Sequence, residues 1–293
     1  MKIAVFGTTL SREFVQVLES FFRYLQENGV GVHLYHPFYT YLTEELDFIP
    51  YHTSFFTSNS DFDKDVKFIF SVGGDGTFLQ SVRVIHDFDI PVVGVNSGRL
   101  GFLADISRFQ VIDALTGIFN GNYEIVERSL LKVEFEGAGD LGFNYALNDM
   151  TVMKTENSSM INIYAYINHE FLNNYWGDGL IISTPTGSTA YSLSAGGPIM
   201  TPDSENFIIT PLAPHNLTVR PIVVPDRYEL TLKTDGRGTH FRVSVDSNSV
   251  NLGFSAVIRV YKAGYKLKTL QLPGQNFFNT LRNKLMWGAD KRN

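Results

Sequence analysis

Seven residues combine glycines, a carboxylate and hydroxyls in an order that suits phosphate chemistry: Ser71-Val72-Gly73-Gly74-Asp75-Gly76-Thr77. They follow the apolar run 68–70, which favours a strand, and they precede residues 78–85, whose apolar positions recur at helical spacing. Glycines in such a turn allow positive φ and close approach of a ligand, and the following helix offers free N–H groups to a phosphate. Asp75 becomes the candidate for chemistry, because an anion beside a phosphate must bind a metal ion or accept a proton.

A purely structural role for Asp75 is the alternative. Asp is a common helix N-cap, and glycine-rich turns between a strand and a helix are frequent. The turn lacks the Gly-Lys-Ser/Thr end of a P-loop, and its glycines do not have the Gly-x-Gly-x-x-Gly spacing of dinucleotide-binding folds. The pattern therefore indicates a less common class of phosphate site.

A second motif, residues 177–199, is rich in Ser, Thr and Gly and contains neither Lys nor Arg. The apolar run Leu180-Ile181-Ile182 leads into it, which argues against a merely solvated loop. Small hydroxyl-bearing residues can hold a ribose or an amide through neutral hydrogen bonds. The alternative is a Ser/Thr-rich surface loop.

Composition limits the partners and the chemistry. The chain has 293 residues, 44% of them hydrophobic, and a formal net charge of −6. The negative net charge argues against nucleic acid and anionic membranes as partners. The sequence contains no run of about 18 apolar residues, so we predict no membrane span. With no cysteine, thiol chemistry is excluded, and an acidic protein that binds phosphates needs a divalent cation, for which Mg²⁺ is expected. We expect a cytoplasmic protein.

The first part of the chain alternates strands with helices, which predicts a parallel sheet covered by helices. Ser11 is the predicted cap of the first helix, and residues 37–64 are predicted to be irregular and are rich in aromatic residues. A later helix is predicted around Phe109, Ile112, Leu115 and Phe119. Strands are predicted at residues 1–6, 30–35, 68–70 and 91–95. Ligands bind at the carboxyl ends of strands in such sheets, and Asp75 follows one of those ends.

From about residue 124 the pattern changes to short strands separated by turns, which predicts a β-rich second domain. A turn at His169-Glu170 is predicted, and Asp235-Gly236-Arg237-Gly238 predicts a hairpin between residues 228–234 and 239–245. The tail returns to helical spacing through Phe278, Leu281, Leu285 and Met286, and we expect it to pack on the first domain.

Together the two motifs resemble those of the NAD kinase family, bacterial type, which phosphorylates the adenosine ribose of NAD to give NADP. Further matches occur in the same order along the chain, and the resemblance covers roughly residues 67–288. They are 96–103, Ala146-Leu147-Asn148-Asp149, 211–215, 220–223 and Trp287-Gly288. The first motif alone is shared with phosphofructokinase-like and diacylglycerol kinase-like proteins, whereas the second is specific to NAD kinases.

The resemblance implies a fold and an assembly. The fold is a Rossmann-like α/β domain, residues 1–122 and 265–293, with a β-sandwich NAD-binding domain, residues 123–264. The C-terminal helix returns to the first domain. The family assembles as homodimers or homotetramers with sites at subunit contacts, and its substrates are ATP and NAD.

The resemblance also implies roles for individual residues. Asp75 accepts the proton of the attacking 2′-hydroxyl and Gly76 contacts the nucleotide, while Asn148 and Asp149 hold the riboses. Asp178 lies near the nicotinamide end and Phe102 near the adenine. The remaining implied substrate contacts are Thr186, Thr189, Ala190, Tyr191, Ser192, Leu193, Ser194, Ala213 and Asn248.

Two departures from the family pattern leave details open. Asp246-Ser247-Asn248 stands where many relatives have Asp-Gly-Gln, and Tyr175-Trp176-Gly177 stands where many bacterial members carry a basic residue before the aspartate. The donor (ATP, another nucleoside triphosphate or polyphosphate) and the preference between NAD and NADH stay open. A diacylglycerol-type lipid kinase and a non-catalytic NADP-binding sensor are the alternative functions.

Overall fold

The computed structural model describes residues 1–98, 101–137, 142–155 and 159–286. The chain divides into two compact units, residues 1–127 with 267–293 and residues 128–266. These boundaries lie inside two long strands, Glu124–Glu136 and Val257–Gln271. The domain bounds predicted from the sequence, 122 and 265, fall close to them. That these units are domains with separate roles stays a prediction.

The first unit is an α/β layer structure. Five strands form a parallel sheet in the order β5-β4-β1-β2-β3. They are β1 Lys2–Gly7, β2 Gly31–Tyr35, β3 Ser54–Phe56, β4 Ile69–Gly73 and β5 Val92–Asn96. The helices are α1 Val15–Glu27, α2 His36–Glu44, α3 Asp75–Ile85 and α4 Val111–Phe119, with a C-terminal helix, Phe277–Leu285, in the same unit.

Helices cover both faces of this sheet because side chains alternate along each strand. Ile3 and Val5 of β1 share one apolar core with the buried faces of α1 and α4. Helix α3 packs against β1, β4 and β5, and its buried Phe78 and Val82 lie outside that core. Central strands that are buried on both faces read as continuous apolar runs, which is why the sequence revealed them.

Three predictions for this unit need correction. Ser11 precedes a short 3-10 turn at Arg12–Phe14, and its side chain makes no capping hydrogen bond. Residues 37–64 are not irregular throughout, since most of α2 and all of β3 lie there. In the predicted helix around residues 109–119, Phe109 is 82% exposed and Ile112 is also exposed, because the buried face is formed by Val111, Ala114, Leu115 and Ile118.

The second unit is a β-sandwich. One sheet has the strand order β13-β12-β11-β8-β15-β16, and the other contains β10, β9, β14 and β17. Residues from both sheets, among them Val152, Leu180, Ile163 and Ile258, share a single apolar core. The strands and the short helix are β6 Glu124–Glu136, β7 Tyr145–Ala146, β8 Asp149–Lys154, β9 Ile161–Ile167, β10 Glu170–Gly177, β11 Gly179–Ser183, α5 Tyr191–Ser194, β12 Asn206–Leu212, β13 Ile222–Pro225, β14 Leu230–Asp235, β15 His240–Val245, β16 Asn248–Gly253 and β17 Val257–Gln271.

The predicted hairpin around residues 235–238 does not exist. β14 pairs with β9 and β17 in one sheet, whereas β15 pairs with β8 and β16 in the other, so the turn crosses from sheet to sheet. A turn sequence fixes a reversal of direction, and pairing depends on partners distant in sequence. The other turn is shifted by one residue, because Asn168 and His169, both at positive φ, join β9 to β10.

The C-terminal helix α6, Phe277–Leu285, begins with a side-chain cap, in which Asn276 accepts a hydrogen bond from the Asn279 amide. Leu281 is buried, while Phe278, Leu285 and Met286 are exposed, so the predicted apolar face is narrower than its spacing suggested. Trp287 and Gly288 lie outside the described residues. Within the described part of the chain, none of the helices has the length and hydrophobicity needed to cross a bilayer.

Candidate functional site

The glycine turn places Asp75 at the first residue of α3, immediately after β4. Gly74 is the N-cap in extended conformation, so Asp75 is not the helix cap that the structural alternative supposed. The N–H groups of Gly76 and Thr77 make no hydrogen bond within the part of the chain that the structure describes. An exposed helix N-terminus with such donors suits an anionic group.

The Asp75 carboxylate reaches across to the loop after β5. Its Oδ1 accepts hydrogen bonds from the amides of Leu103 and Ala104, at 3.1 and 3.0 Å, and its Oδ2 accepts one from the amide of Phe102, at 3.0 Å. Gly101 permits this contact, since a Cβ there would lie 1.9 Å from Oδ1. Asp75 and Phe102, predicted separately, are thus brought together.

Lys284 is a further member of this group that sequence reasoning missed. Its Nζ lies 3.3 Å from Oδ2 of Asp75 and 4.6 Å from the centre of the Phe102 ring. The two charged residues are 209 positions apart, so no spacing pattern could join them. The only sequence signal was the helical tail that was expected to pack on the first unit.

In the second unit, residues 147–149 at the start of β8 are hydrogen-bonded to the second motif. The Asn148 carbonyl accepts hydrogen bonds from the Thr184 amide at 2.9 Å and the Ser183 hydroxyl at 3.3 Å. Gly187 allows the second motif to lie against the backbone of Asn148, since a Cβ at position 187 would lie 2.0 Å from the Asn148 carbonyl oxygen. Among the described residues no group hydrogen-bonds to the Asn148 side-chain amide, which leaves it available to a ligand.

Asp246 holds the same segment from the other side. Its carboxylate accepts hydrogen bonds from the amides of Leu147, Asn148 and Asp149 at 2.8, 3.0 and 3.1 Å. Asp246 has φ of +48°, a conformation that Asp and Asn tolerate better than most residues. Sequence reasoning had noted Asp246 only for the residues that follow it.

Two neighbouring carboxyl groups, Asp149 and Asp246, are both affected by burial but differ in their hydrogen bonds. Burial and, as the smaller cause, the neighbouring charge of Asp246 together raise the pKa of Asp149 to about 7. Burial also raises the pKa of Asp246, and the three amide hydrogen bonds limit the net rise to about 6. Asp149 lacks such donors among the described residues, so it is the group that carries the proton when the pair holds one.

The other predicted contacts differ in their surroundings. Thr186 is buried and accepts a hydrogen bond from Arg128 at 3.4 Å, and the Ser192 hydroxyl is paired with Thr210 at 2.9 Å. Asp178 forms an ion pair with Lys154 at 2.8 Å, so a cation from β8 stands beside it. Among the rest, some are exposed and some half-buried: Gly76, Thr189, Ala190, Tyr191, Leu193, Ser194, Ala213 and Asn248.

The donor set for a divalent cation is sparse. In the ranges described, no group of three His, Asp or Glu side chains is arranged so that it could hold a metal ion. Mg²⁺ is usually held by one or two carboxylates together with substrate phosphates, so binding of Mg²⁺ does not require such a group.

Comparison with known proteins identifies the family. Residues 3–123 match the ATP-NAD kinase N-terminal domain, and residues 147–272 match the ATP-NAD kinase C-terminal domain. The curated NAD kinases of Flavobacterium johnsoniae and Cytophaga hutchinsonii are 43% and 40% identical to this chain, over 100% of both chains in each case. The chain belongs to the NAD kinase family. It is an enzyme of that family, and the lipid-kinase and sensor alternatives are not favoured.

Solved structures confirm the fold class predicted for this kinase. Yeast NADH kinase complexed with NADH superposes with a TM-score of 0.85 at 21% identity, covering 99% of this chain and 88% of that one. An NAD kinase from Archaeoglobus fulgidus in complex with ATP superposes with a TM-score of 0.72 at 24% identity, covering 98% and 99%. The α/β domain followed by a β-sandwich is the architecture of NAD kinases.

Removing the Asp246 acceptor should destabilise the kinase. In Asp246→Asn one carboxylate oxygen becomes an amide that cannot accept, so a buried N–H of the segment 147–149 loses its partner. We expect the free energy of unfolding to fall by about 1–3 kcal/mol in urea titrations, the usual cost of such a group. Ser247→Ala, in the same turn but exposed, is the control. An unchanged urea midpoint in Asp246→Asn would show that the three amides do not depend on this charge.

The raised pKa of Asp149 predicts a pH-dependent effect on stability. The folded-state pKa lies above the unfolded value of 3.8, so the stability contributed by the protonated group is lost as pH rises through about 7. Asp149→Asn should therefore gain stability relative to wild type between pH 5 and pH 8. We expect about 1–3 kcal/mol, since a pKa difference of one corresponds to about 1.4 kcal/mol. Thermal unfolding at pH 5 and pH 8 measures the stability of Asp149→Asn relative to wild type. Asp235→Asn, at an exposed position, is the control. A stability difference between Asp149→Asn and wild type that is equal at both pH values would contradict the raised pKa of Asp149.

Proposed function

We propose that this chain transfers the γ-phosphoryl group of ATP to the 2′-hydroxyl of the adenosine ribose of NAD, giving NADP. The observation that carries this proposal is the position of Asp75, a carboxylate at the first turn of α3 behind a glycine turn that has no P-loop lysine. It stands in a chain that is 43% identical over its whole length to a curated NAD kinase.

The first unit supplies the phosphate and proton chemistry. The exposed start of α3, with the N–H groups of Gly76 and Thr77, receives a donor phosphate. The 2′-oxygen attacks the γ-phosphorus, the new O–P bond forms as the bond to the β-phosphate oxygen breaks, and ADP leaves with the electron pair. Asp75 takes the proton of the hydroxyl. Because phosphoryl transfer needs mainly positioning and charge stabilisation, a carboxylate that orients the hydroxyl and accepts its proton late is sufficient.

The second unit holds the riboses of NAD. Asn148 presents its unpaired amide, and Asp149 offers a carboxyl group that donates a hydrogen bond when protonated and accepts when ionised. Asp246 fixes both through their backbone amides, and Thr186, Thr189 and Tyr191 of the second motif line the dinucleotide. A divalent cation bound to the phosphates of ATP would neutralise part of their charge.

Several parts of the proposal go beyond the family assignment. The roles of the individual site residues, the divalent cation, assembly as homodimers or homotetramers and a cytoplasmic location all stay predictions. ATP as donor is supported by the family, and an assay that crosses NAD and NADH with ATP, other nucleoside triphosphates and polyphosphate would rank donors and acceptors.

Asp75→Asn should abolish most of the activity. The amide cannot take the hydroxyl proton, and we expect kcat to fall by roughly 10²–10⁴-fold, as is usual when a general base is removed. NADP formation with Mg-ATP measures the change, and circular dichroism verifies folding. Asp113→Asn, an exposed carboxylate on α4 of the same unit, should keep wild-type activity. Near-normal turnover of Asp75→Asn would remove Asp75 from its role.

Asn148→Ala should weaken the binding of NAD without disturbing the fold. The backbone hydrogen bonds of Asn148 persist, while the amide that faces the ligand is lost. We expect calorimetry to show a loss of about 1–3 kcal/mol in binding free energy, the cost of an unpaired buried partner. Asn251→Ala, at an exposed position of β16, is the control. An unchanged dissociation constant for NAD would reject the ribose contact.

A further inference from the structure

All the acceptor positions of the Asp75 carboxylate are occupied. An ionised carboxylate offers about four lone-pair sites. Three of them face the amides of Phe102, Leu103 and Ala104, and Lys284 approaches the fourth at 3.3 Å. A substrate hydroxyl can reach Asp75 only if one of these donors leaves.

Lys284 is the donor that can leave most easily. The three amides belong to a backbone segment that Asp75 itself holds in place, whereas Lys284 carries its charge on a flexible stem. Its side chain is 33% exposed, so water can reach the ammonium group when it leaves Asp75. The helix that carries it is fixed independently, through the buried Leu281 and the Asn276 cap.

The phosphate site needs a cation that its own motif does not provide. The turn 71–77 contains no Lys or Arg, and Arg83 of α3 lies at the far end of that helix. Lys284 brings an ammonium group to the side chain of Asp75 at the N-terminus of α3, where the transferred phosphoryl group has to come close to the attacking hydroxyl. The Phe102 ring, 4.6 Å from Nζ, keeps the ammonium near this end of the helix.

We propose that Lys284 is a catalytic residue that binds the transferring phosphoryl group, in the role that a lysine of the glycine loop has in P-loop enzymes. This proposal rests on the proposed function. The 2′-hydroxyl replaces Lys284 at Oδ2 of Asp75, and the displaced ammonium pairs with the γ-phosphoryl oxygens. During transfer the hydroxyl proton passes to Asp75 and the P–O bond to ADP breaks, while Lys284 stays protonated and stabilises the charge on the phosphoryl oxygens.

The ion pair between Lys284 and Asp75 implies that the phosphate donor binds before the 2′-hydroxyl reaches Asp75. As long as no phosphate is present, Lys284 occupies the position that the hydroxyl needs, and the anionic donor offers the ammonium a stronger partner. Loss of the charge should therefore affect the donor and the chemical step, while the binding of NAD by the second unit should change little.

The test compares Lys284→Met, which keeps the length and removes the charge, with Lys284→Arg, which keeps the charge. NADP formation is measured with Mg-ATP varied at saturating NAD, and with NAD varied at saturating Mg-ATP. We expect kcat/KM for Mg-ATP to fall by about 10²-fold in Lys284→Met, as when one stabilising donor is removed. Lys284→Arg should recover a large part of that loss, and KM for NAD should stay within about threefold of wild type in both variants, because no uniform binding of NAD is lost.

Arg282→Gln is the matched control, because it removes a positive charge from the same helix and Arg282 contacts Asn279 rather than Asp75. Wild-type kinetics for Lys284→Met, an equal loss in Arg282→Gln, or a loss in Lys284→Arg as large as in Lys284→Met would each overturn the proposal. Failure of the function itself looks different: wild-type protein would then form no NADP from Mg-ATP and NAD. Circular dichroism and thermal unfolding of all variants separate loss of charge from loss of fold.

Discussion

The geometry of the first unit depends on one carboxylate that bonds to backbone amides far along the chain. The Asp75 side chain, at the start of α3, accepts hydrogen bonds from three successive N–H groups of the loop 102–104. The glycine turn and that loop therefore hold each other in place. The contact needs a helix that begins at Asp75 and a glycine at position 101, where any side chain would displace the carboxylate. The same carboxylate is the one that we propose as acceptor of the hydroxyl proton, so in this proposal one group serves both structure and chemistry.

The second unit uses the same device for a different purpose. Asp246 also accepts hydrogen bonds from three successive amides, those of residues 147–149, and it thereby fixes the two residues that we predict to hold the riboses. The difference lies in exposure and partners. Asp75 is partly exposed and has a partly exposed lysine beside it, whereas burial raises the pKa of Asp246 and no lysine approaches it among the described residues. One carboxylate is suited to a reaction and the other to holding a segment.

Much of this architecture could be predicted from local patterns. The apolar strands of the parallel sheet, the glycine turn before α3 and the alternation of Phe241, Val243 and Val245 in β15 are all encoded by neighbours in sequence, because burial repeats with a short period. The predictions were wrong where strand pairing or the buried face of a helix depends on residues distant in sequence. The turn 235–238 joins two sheets instead of closing a hairpin, and α4 buries Val111 and Ala114 while Phe109 is exposed.

By itself, the sequence determined which chemistry is available: a carboxylate in a glycine turn, a hydroxyl-rich motif without cations, and enough motif order to indicate a family. It could not determine what those groups touch. The encounter of Asp75 with Lys284, 209 positions away, and that of Asp246 with residues 147–149 depend on how helices and strands pack, and packing is settled by long-range burial rather than by spacing. Residue types are local properties of a chain, whereas the partners of a charge belong to the folded molecule.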